Sequence, residues 1–341
     1  MNIKNIIPRL LLVAILFLLV SFACRAVMQP MEKIVAESTE GPGSGDPSTG
    51  EMTPGTSPTL YPTPPGATNT PALDNGSTQI SSKDGMVMVY VPAGEFLMGS
   101  SEADIDKVMA QCSDCERGWF VVEQPQHTVT LEAYWIDQTE VTNGMYAQCV
   151  AAGTCEPPQE TKSEARSSYY DDKLYADFPV IYVDWNQANA YCGWVGRRLP
   201  SEAEWEKAAR GTDGRIYPWG KKAVAGNLLN FADKNTNLPW SDQTIDDGYE
   251  DTAPVGSYPE GASVYGSLDM AGNVYEWVAD WYQVYPGGDV NASSEFGQTY
   301  RVARGGSWNG NGSYHVRTSF RFSYTPVGTL SRIGFRCALS P

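Results

Sequence analysis

The sequence predicts a compact, loop-rich domain that combines short helices with short strands, and its composition supports this in two ways. The 341 residues include 33 Gly and 23 Pro. Both residue types interrupt helices, so the chain is not mostly helical. The 10 Trp and 19 Tyr residues nevertheless offer a large area that a core can bury.

The net charge limits the kind of partner that the chain can bind. There are 24 Lys and Arg against 40 Asp and Glu, which gives a net charge of −16. Affinity for nucleic acid comes mostly from cationic side chains. We therefore expect no nucleic-acid partner.

Residues 1–23 have the pattern of a signal peptide. Lys4 and Arg9 precede an apolar run from Leu10 to Ala23, which is shorter than the roughly 20 residues of a membrane-spanning helix. Cys24 follows directly and resembles the acylated first residue of a bacterial lipoprotein. We expect a lipid anchor in the membrane at Cys24, with plain secretion or an uncleaved anchor as alternatives. All three place the domain outside the cytoplasm.

The next segment, residues 24–82, is predicted to be a disordered tether. From about Glu32 to Ile80 the chain is rich in Pro, Gly, Ser and Thr and contains hardly any large apolar residue. Such a composition cannot build a core. We expect one domain over residues 83–341.

Several strands are predicted from β-rich runs that end at turn residues. Met86–Val91 and Glu95–Gly99 are expected to form a hairpin, and His127–Asp137 a second pair of strands. Arg301–Gly305 and Ile333–Leu339 are expected to be closing strands.

Three helices are predicted, two of them from their caps. One is short and runs through Cys149, and one is capped by Asp184. The third has the strongest signals, because Ser201 and Glu204 form a capping box and Gly211 ends the helix.

Residues 212–297 show little periodicity, and a long irregular stretch needs partners for its buried backbone groups. Hard cations are one solution. Asp269–Glu276 has carboxylates at both ends around the flexible Gly272, and Asn230-Phe231 with Asp246–Tyr249 is a similar but split set. Calcium binds such mixtures of anionic and backbone oxygens. Solvated carboxylates beside a turn are the alternative.

The cysteine count indicates disulfides. After Cys24 six cysteines remain, and an even number in an exported protein favours disulfides. Cys112 and Cys115 have the spacing of a zinc knuckle, but no second such pair exists and the only histidines are His127 and His315. A zinc site is therefore not expected.

Seven blocks of sequence occur in a characteristic order, and together they resemble the formylglycine-generating enzyme, or sulfatase-modifying factor, family. The blocks are Gly94–Gly99, Thr139–Thr142, Arg198–Glu206, Tyr217–Gly220, Leu268–Trp277, Arg304–Trp308 and Gly334–Cys337. The resemblance covers nearly all of Met86–Leu339. It implies an α+β domain with a C-type-lectin-like fold and little regular secondary structure.

The resemblance also implies two structural calcium ions. For the first, the matching side-chain ligands are Asn230 and Asp247, and the matching carbonyl ligands are Phe231 and Tyr249. For the second, Asp269 and Glu276 match side-chain ligands, and Gly272 and Val274 match carbonyl ligands.

Disulfide pairing is implied in the same way. Cys192 and Cys337 match a family disulfide, and Cys149 with Cys155 would close a short local loop. Cys112 and Cys115 are the remainder, and either a disulfide or a free thiol is open for them.

The catalytic pattern of the family is not kept. The family oxidises a cysteine of a sulfatase to formylglycine with oxygen and a copper ion held by two thiolates, which suit Cu(I) because both are soft. The matching positions here are Gly310 and His315, and neither is a thiol. We therefore assign no catalytic residue and expect no copper.

The residues near these positions are candidates for a binding cleft: Ser307, Trp308, His315 and Arg317. His315 is either a catalytic group in a repurposed cleft or a histidine with satisfied hydrogen bonds. Arg317, with Arg321, Arg332 and Arg336, either binds a carboxylate ligand or bridges internal loops.

We predict an extracytoplasmic family member that binds a peptide, a protein or another ligand and is not a copper-dependent oxidase. Whether it is an enzyme stays open, because both catalytic cysteine positions are substituted. The alternatives are an oxidase or other protein-modifying enzyme that uses different metal ligands, and a purely structural domain of the cell envelope.

Overall fold

The computed structural model of the protein describes residues 73–312 and 314–340. The predicted signal peptide, Cys24 and the tether up to residue 72 lie outside the described residues. Within them, Thr78–Ile80 forms a strand that pairs with Val87–Val89. The folded domain therefore begins before residue 83, where the sequence placed its start.

The regular elements are short. In chain order the strands are β1 (Thr78–Ile80), β2 (Val87–Val91), β3 (Gly94–Met98), β4 (His127–Leu131), β5 (Tyr134–Asp137), β6 (Tyr275–Trp281), β7 (Arg301–Arg304), β8 (Phe322–Tyr324), β9 (Ile333–Phe335) and β10 (Ala338–Leu339). The α-helices are α1 (Glu102–Gln111), α2 (Asn143–Ala151), α3 (Trp185–Trp194) and α4 (Glu202–Arg210). Short 3-10 helices span Arg117–Glu123, Lys173–Tyr175 and Pro259–Gly261.

Two four-stranded sheets and one two-stranded ribbon form the framework of the described residues. The first sheet is antiparallel with the order β1-β2-β5-β10, and β3 and β4 form the ribbon. The second sheet has the order β8-β7-β6-β9, in which β6 and β9 are parallel. The central strand β6 lies within the stretch that showed no periodicity.

The predicted hairpin of β2 with β3 is wrong, because the two strands belong to different sheets. Both edges of β2 are occupied by β1 and β5. At the turn between the two strands, the ammonium group of Lys207 donates to the carbonyls of Pro92 and Gly94, at 2.8 and 2.9 Å. The predicted pairing within His127–Asp137 is also wrong, since β4 pairs with β3 and β5 with β2.

The predicted closing strand Ile333–Leu339 is divided into two. Its first half, β9, lies in the second sheet, and its second half, β10, lies in the first. The break falls at Arg336 and Cys337, whose side chains are held by Glu276 and Cys192. The end of the chain thus ties the two sheets together.

The three predicted helices are confirmed, together with the caps predicted for two of them. Thr142 caps α2, Asp184 forms a capping box at α3, and Ser201 forms one with Glu204 at α4. Helix α1 was not predicted. Its capping box uses Ser101 with an aspartate at the third position, where the usual sequence signal is Glu or Gln.

Three disulfides are present: Cys112–Cys115, Cys149–Cys155 and Cys192–Cys337. The third joins α3 to the segment between β9 and β10. It lies in the main core, which contains Tyr146, Tyr191 and Trp277. No helix of the described part is long and apolar enough to cross a membrane.

Candidate functional site

The segment after β7 carries most of the predicted cleft residues, and two glycines let it approach the core closely. Gly305 and Gly306 have positive φ angles of 96° and 77°. A Cβ atom at Gly306 would lie 2.9 Å from the carbonyl oxygen of His315. Further along, the backbone N–H of Trp308 donates to the carbonyl of Asn273. The segment is therefore fixed against the loop that precedes β6.

Positions 310 and 315 face each other. A Cβ atom at Gly310 would lie 3.3 Å from the Cβ of His315. Two side chains at these positions could thus share a ligand, but glycine has none to offer. All six cysteines of the described residues are in disulfides. The described residues therefore supply no thiolate for copper, and a two-thiolate copper centre does not fit.

His315 is half-buried and already hydrogen-bonded. Its Nδ1 accepts from the backbone N–H of Asn311 at 2.9 Å, so the neutral ring carries its proton on Nε2. The ring lies 4.1 Å from that of Tyr314, centre to centre. Burial lowers the pKa of His315 to about 4, and the charges of Arg317 and Arg332 act in the same direction. The Nδ1 atom of His315 is therefore already engaged and is not free to act as a base.

The four predicted cleft residues do not share one cleft. Ser307 is fully buried, and its hydroxyl donates to the side chain of Asn309 at 2.9 Å. Arg317 is buried as well and makes a bidentate salt bridge with Glu123, with distances of 2.6 and 2.9 Å. Trp308 and His315 line different clefts.

Three of the four arginines named from the sequence bridge internal segments. Besides Arg317, Arg321 makes a bidentate pair with Glu202, and Arg336 with Glu276. Arg332 differs, because it lies in the wall of an open cleft and makes no salt bridge among the described residues. It is therefore the one of the four that is placed to bind a ligand.

That cleft, here called the Trp308 cleft, has a volume of 330 Å³. Its charged lining residues are Arg332, Glu164 and Glu250, and Trp308 and Asn309 form part of its wall. Neither carboxylate has a salt-bridge partner in the described part of the chain. Sequence reasoning missed both glutamates, since nothing in their local pattern distinguishes them from solvated surface residues.

Three of the four residues of the first predicted calcium set contact one another. Asp247 is buried, and its two carboxylate oxygens accept from the backbone N–H groups of Phe231 and Tyr249, at 2.8 and 2.9 Å. Asp247 makes no salt bridge within the described part of the chain, and burial raises its pKa to about 7.

Asn230 is the fourth residue of this set, and one of its polar atoms has no hydrogen-bond partner. Its side-chain nitrogen donates to the carbonyl of Asp251, but its buried side-chain oxygen has no hydrogen-bond partner. Orphaned buried oxygens are uncommon. A carboxylate and an amide oxygen are both ligands that calcium prefers, and Asn230 directly precedes Phe231, whose backbone N–H donates to Asp247.

The second predicted set is occupied by other contacts. Glu276 accepts from Arg336 at 2.6 and 2.7 Å and from the indole N–H of Trp205 at 2.7 Å. Asp269 accepts from the backbone N–H of Gly256. The charge of Glu276 is thus already neutralised by a guanidinium. The set of ligands predicted from the sequence, which includes Glu276, therefore does not fit calcium.

Glu140 is a further buried carboxylate at this place that sequence reasoning did not assign. One of its oxygens accepts from Asn273, and the other has no hydrogen-bond partner. Burial raises the pKa of Glu140 well above its usual range, and the negative charges of Asp269 and Glu276 raise it further. Three carboxylates therefore share one arginine, Arg336. Among the described residues no group of three or more His, Cys, Asp or Glu is arranged to hold a metal by itself.

Comparison with known proteins gives a family match over most of the chain. Residues 76–341 match the family described as "Sulfatase-modifying factor enzyme 1-like domain". The chain is 31% identical over 311 residues to the "Inactive C-alpha-formylglycine-generating enzyme 2" of Mus musculus, covering 77% of this chain and 88% of that protein. It is 33% identical over 298 residues to the "Formylglycine-generating enzyme" of Streptomyces coelicolor, covering 73% of this chain and 88% of that protein.

Solved structures give the same result for the fold. The structure of PvdO from Pseudomonas aeruginosa aligns with a TM-score of 0.60 at 28% identity, over 79% of this chain and 100% of that one. Treponema denticola variable protein 1 aligns with a TM-score of 0.56 at 22% identity, over 78% of this chain and 99% of that one.

Proposed function

The chain belongs to the sulfatase-modifying factor family and has its α+β, C-type-lectin-like fold, and from this premise we propose that it is an extracytoplasmic peptide-binding member without copper-dependent oxidase activity. The observation that carries the proposal is the absence of a free thiol among the described residues. Positions 310 and 315 face each other as Gly and His, and every described cysteine is in a disulfide.

The Trp308 cleft is the proposed binding site. Arg332 can bind a carboxylate, and Glu164 and Glu250 can bind basic groups, because none of the three has an internal salt-bridge partner among the described residues. The indole of Trp308 offers an apolar surface between them. A peptide segment that carries both an acidic and a basic group matches this combination.

A binding assay tests the site. The purified chain is screened against a peptide library, and the selected peptide is titrated against Arg332→Gln. We expect the affinity to fall about 10- to 100-fold, since a hydrogen bond to a charged group contributes about 1.5–3 kcal/mol. Arg117→Gln is the control, because Arg117 is half-exposed and pairs with Glu102 on α1. Equal binding by both variants, or no saturable peptide, contradicts the proposal.

The missing oxidase activity is tested separately. The chain is coexpressed with a sulfatase that carries the target cysteine, and the sulfatase is analysed by mass spectrometry for formylglycine. We expect none above background, whereas a formylglycine-generating enzyme expressed in the same way gives the aldehyde. Aldehyde formation that disappears in His315→Asn would establish the alternative, an oxidase with other metal ligands.

For calcium we propose one structural ion, held by the side chains of Asn230 and Asp247 and the carbonyls of Phe231 and Tyr249. Calcium would neutralise the buried Asp247 and bind the orphaned oxygen of Asn230. A second ion in the place that the sequence predicted would need Asp269 with Glu140, because Glu276 is paired with Arg336.

For location, three disulfides are consistent with an oxidising compartment. We propose that acylation of Cys24 anchors the chain to a membrane. Metabolic labelling with a fatty acid should mark the chain and fail to mark Cys24→Ala. Labelling that persists in this variant excludes the anchor at Cys24.

A further inference from the structure

We propose that the Cys112–Cys115 disulfide is a thiol-exchange site, which captures a cysteine-containing peptide as a mixed disulfide at Cys112. The site lies outside the Trp308 cleft, and the proposal does not depend on the function proposed above. Cys112 and Cys115 were the cysteines whose state the sequence left open.

Access distinguishes Cys112 from the other five described cysteines. Cys149, Cys192 and Cys337 are fully buried, and Cys115 and Cys155 are each 7% exposed. Cys112 is half-buried and lines an open cleft. A thiolate must reach the sulfur that it attacks. Cys112 is therefore the sulfur that a peptide can reach.

The dipole of α1 favours the same sulfur. Cys112 is the C-terminal cap of α1, and the last turn of this helix has no basic residue. Attack on Cys115 would release Cys112 as a thiolate at a helix C-terminus, where the dipole disfavours negative charge. Attack on Cys112 leaves that position uncharged and places the thiolate on Cys115.

The exchange step is balanced without an external oxidant. The peptide thiol first loses its proton to water, and its sulfur bonds to Sγ of Cys112 as the Cys112–Cys115 bond breaks. Cys115 leaves as a thiolate and takes a proton from water. One disulfide is exchanged for another, and the number of thiols is unchanged.

The walls of the cleft suit a peptide better than a small thiol. The Cys112 cleft, with a volume of 230 Å³, is lined by Trp119, Trp240 and Tyr314 besides Cys112. Both indoles are about half-exposed, at 48% and 49%. The indole N–H of Trp240 donates to the carbonyl of Asn309 at 2.9 Å, which fixes the ring. Two exposed, oriented aromatic surfaces beside a reachable sulfur can hold the side chains that flank a cysteine.

The Cys112–Cys115 disulfide is expected to contribute little to the free energy of unfolding. In the chain-entropy account, the stabilisation grows with the length of the closed loop. Cys112 and Cys115 are separated by 3 residues, the shortest of the three separations, against 145 for Cys192 and Cys337. The disulfide that has one half-buried sulfur and the smallest structural contribution is the one of the three that can open without unfolding the domain.

The test uses the full chain, purified with its disulfides intact. It is incubated with a labelled peptide that contains one cysteine between apolar residues, quenched with acid, alkylated and mapped without reduction. We expect the peptide on Cys112, the alkyl group on Cys115, and the other two disulfides intact. Trp240→Ala should slow capture about 2- to 10-fold, as expected for one lost aromatic contact, without slowing the reaction with mercaptoethanol. Leu174→Ala, exposed and outside the cleft, is the matched control.

Three results would overturn the proposal. One is capture of the peptide by Cys149 or Cys155 at the same rate, and another is a mixed disulfide on Cys115. The third is a Trp240→Ala variant that reacts with the peptide as fast as the wild type, which would leave an exposed disulfide without a binding site. A Cys112→Ser/Cys115→Ser variant, checked for its thermal midpoint, must take no label.

Discussion

At the scale of single residues, the buried arginines are structural. Arg304 is an example. It is completely buried, and its guanidinium pairs with Glu206 and donates to the carbonyls of Thr318 and Ser319. One such side chain replaces several backbone partners that a sheet or helix would supply. An irregular chain therefore keeps its loops together with buried guanidinium groups.

Glu123→Gln tests this role at Arg317, which the sequence had placed in a cleft. The substitution leaves a buried guanidinium without its charge partner, so we expect a loss of about 3–5 kcal/mol in the free energy of unfolding. Asp213→Asn removes the exposed partner of a salt bridge with Arg215 and should cost less than about 1 kcal/mol. Urea unfolding measures both. Equal losses in the two variants would contradict the structural role.

His315 should make the protein sensitive to acid. Its pKa in the folded state is about 4, below the roughly 6.5 of an exposed histidine. Between these two pH values the unfolded chain binds a proton there and the folded chain does not. The stability from His315 is therefore present above pH 6.5 and is lost as the pH falls towards 4.

The measurement compares the free energy of unfolding at pH 7 and pH 4.5. Carboxylates also titrate in this range, so the informative quantity is the difference between wild type and variant. His315→Asn should lose less stability on acidification than the wild type, and His127→Asn serves as the control. An unchanged pH dependence in His315→Asn would show that its protonation is not linked to folding.

At the scale of elements, helices and strands differed in how well they could be predicted. The caps of α2, α3 and α4 are local, because the hydrogen-bonding groups lie within three residues of each other. The partner of a strand is not local. β9 pairs with β6 although β7 and β8 lie between them in the chain, and β2 pairs with β5 rather than with its neighbour β3.

The loops of residues 230–249 should be stabilised by calcium. At a calcium concentration of 100 times the Kd, the free energy of unfolding should rise by about 2.7 kcal/mol. Asp247→Ala should abolish this rise, and chelation should lower the thermal midpoint of the wild type only. The neighbouring Asp246→Ala is the control, since Asp246 is exposed and pairs with Lys234. A wild-type midpoint that chelation leaves unchanged removes the calcium assignment.

At the scale of the whole molecule, the last residues of the chain join its two sheets. β9 belongs to the second sheet and β10 to the first. Between them, the backbone N–H of Cys337 donates to Asp137 at the end of β5, and its sulfur is bonded to Cys192 on α3.

Removing this disulfide should destabilise the whole domain. For Cys192→Ser/Cys337→Ser we expect a loss of about 2–5 kcal/mol, because the bond closes a long loop in the unfolded chain. The Cys149–Cys155 disulfide has a separation of 6 residues, and its double serine variant should lose less. Guanidinium unfolding of both variants decides this, and an equal or larger loss at Cys149 and Cys155 would be evidence against it.

The sequence by itself determined the family, the fold class, three helices, the caps of two of them, and the residues of the Cys192–Cys337 disulfide. These depend on signals within short blocks, such as Ser201 with Glu204, or on the order of the blocks. Only the tertiary structure decided which clefts exist and what lines them: it buried Ser307 and Arg317, separated Trp308 from His315, and brought Glu164 and Glu250 to Arg332. The physical reason is that a cleft is formed by segments far apart in the chain, and their positions depend on strand pairing and buried salt bridges that leave no local pattern.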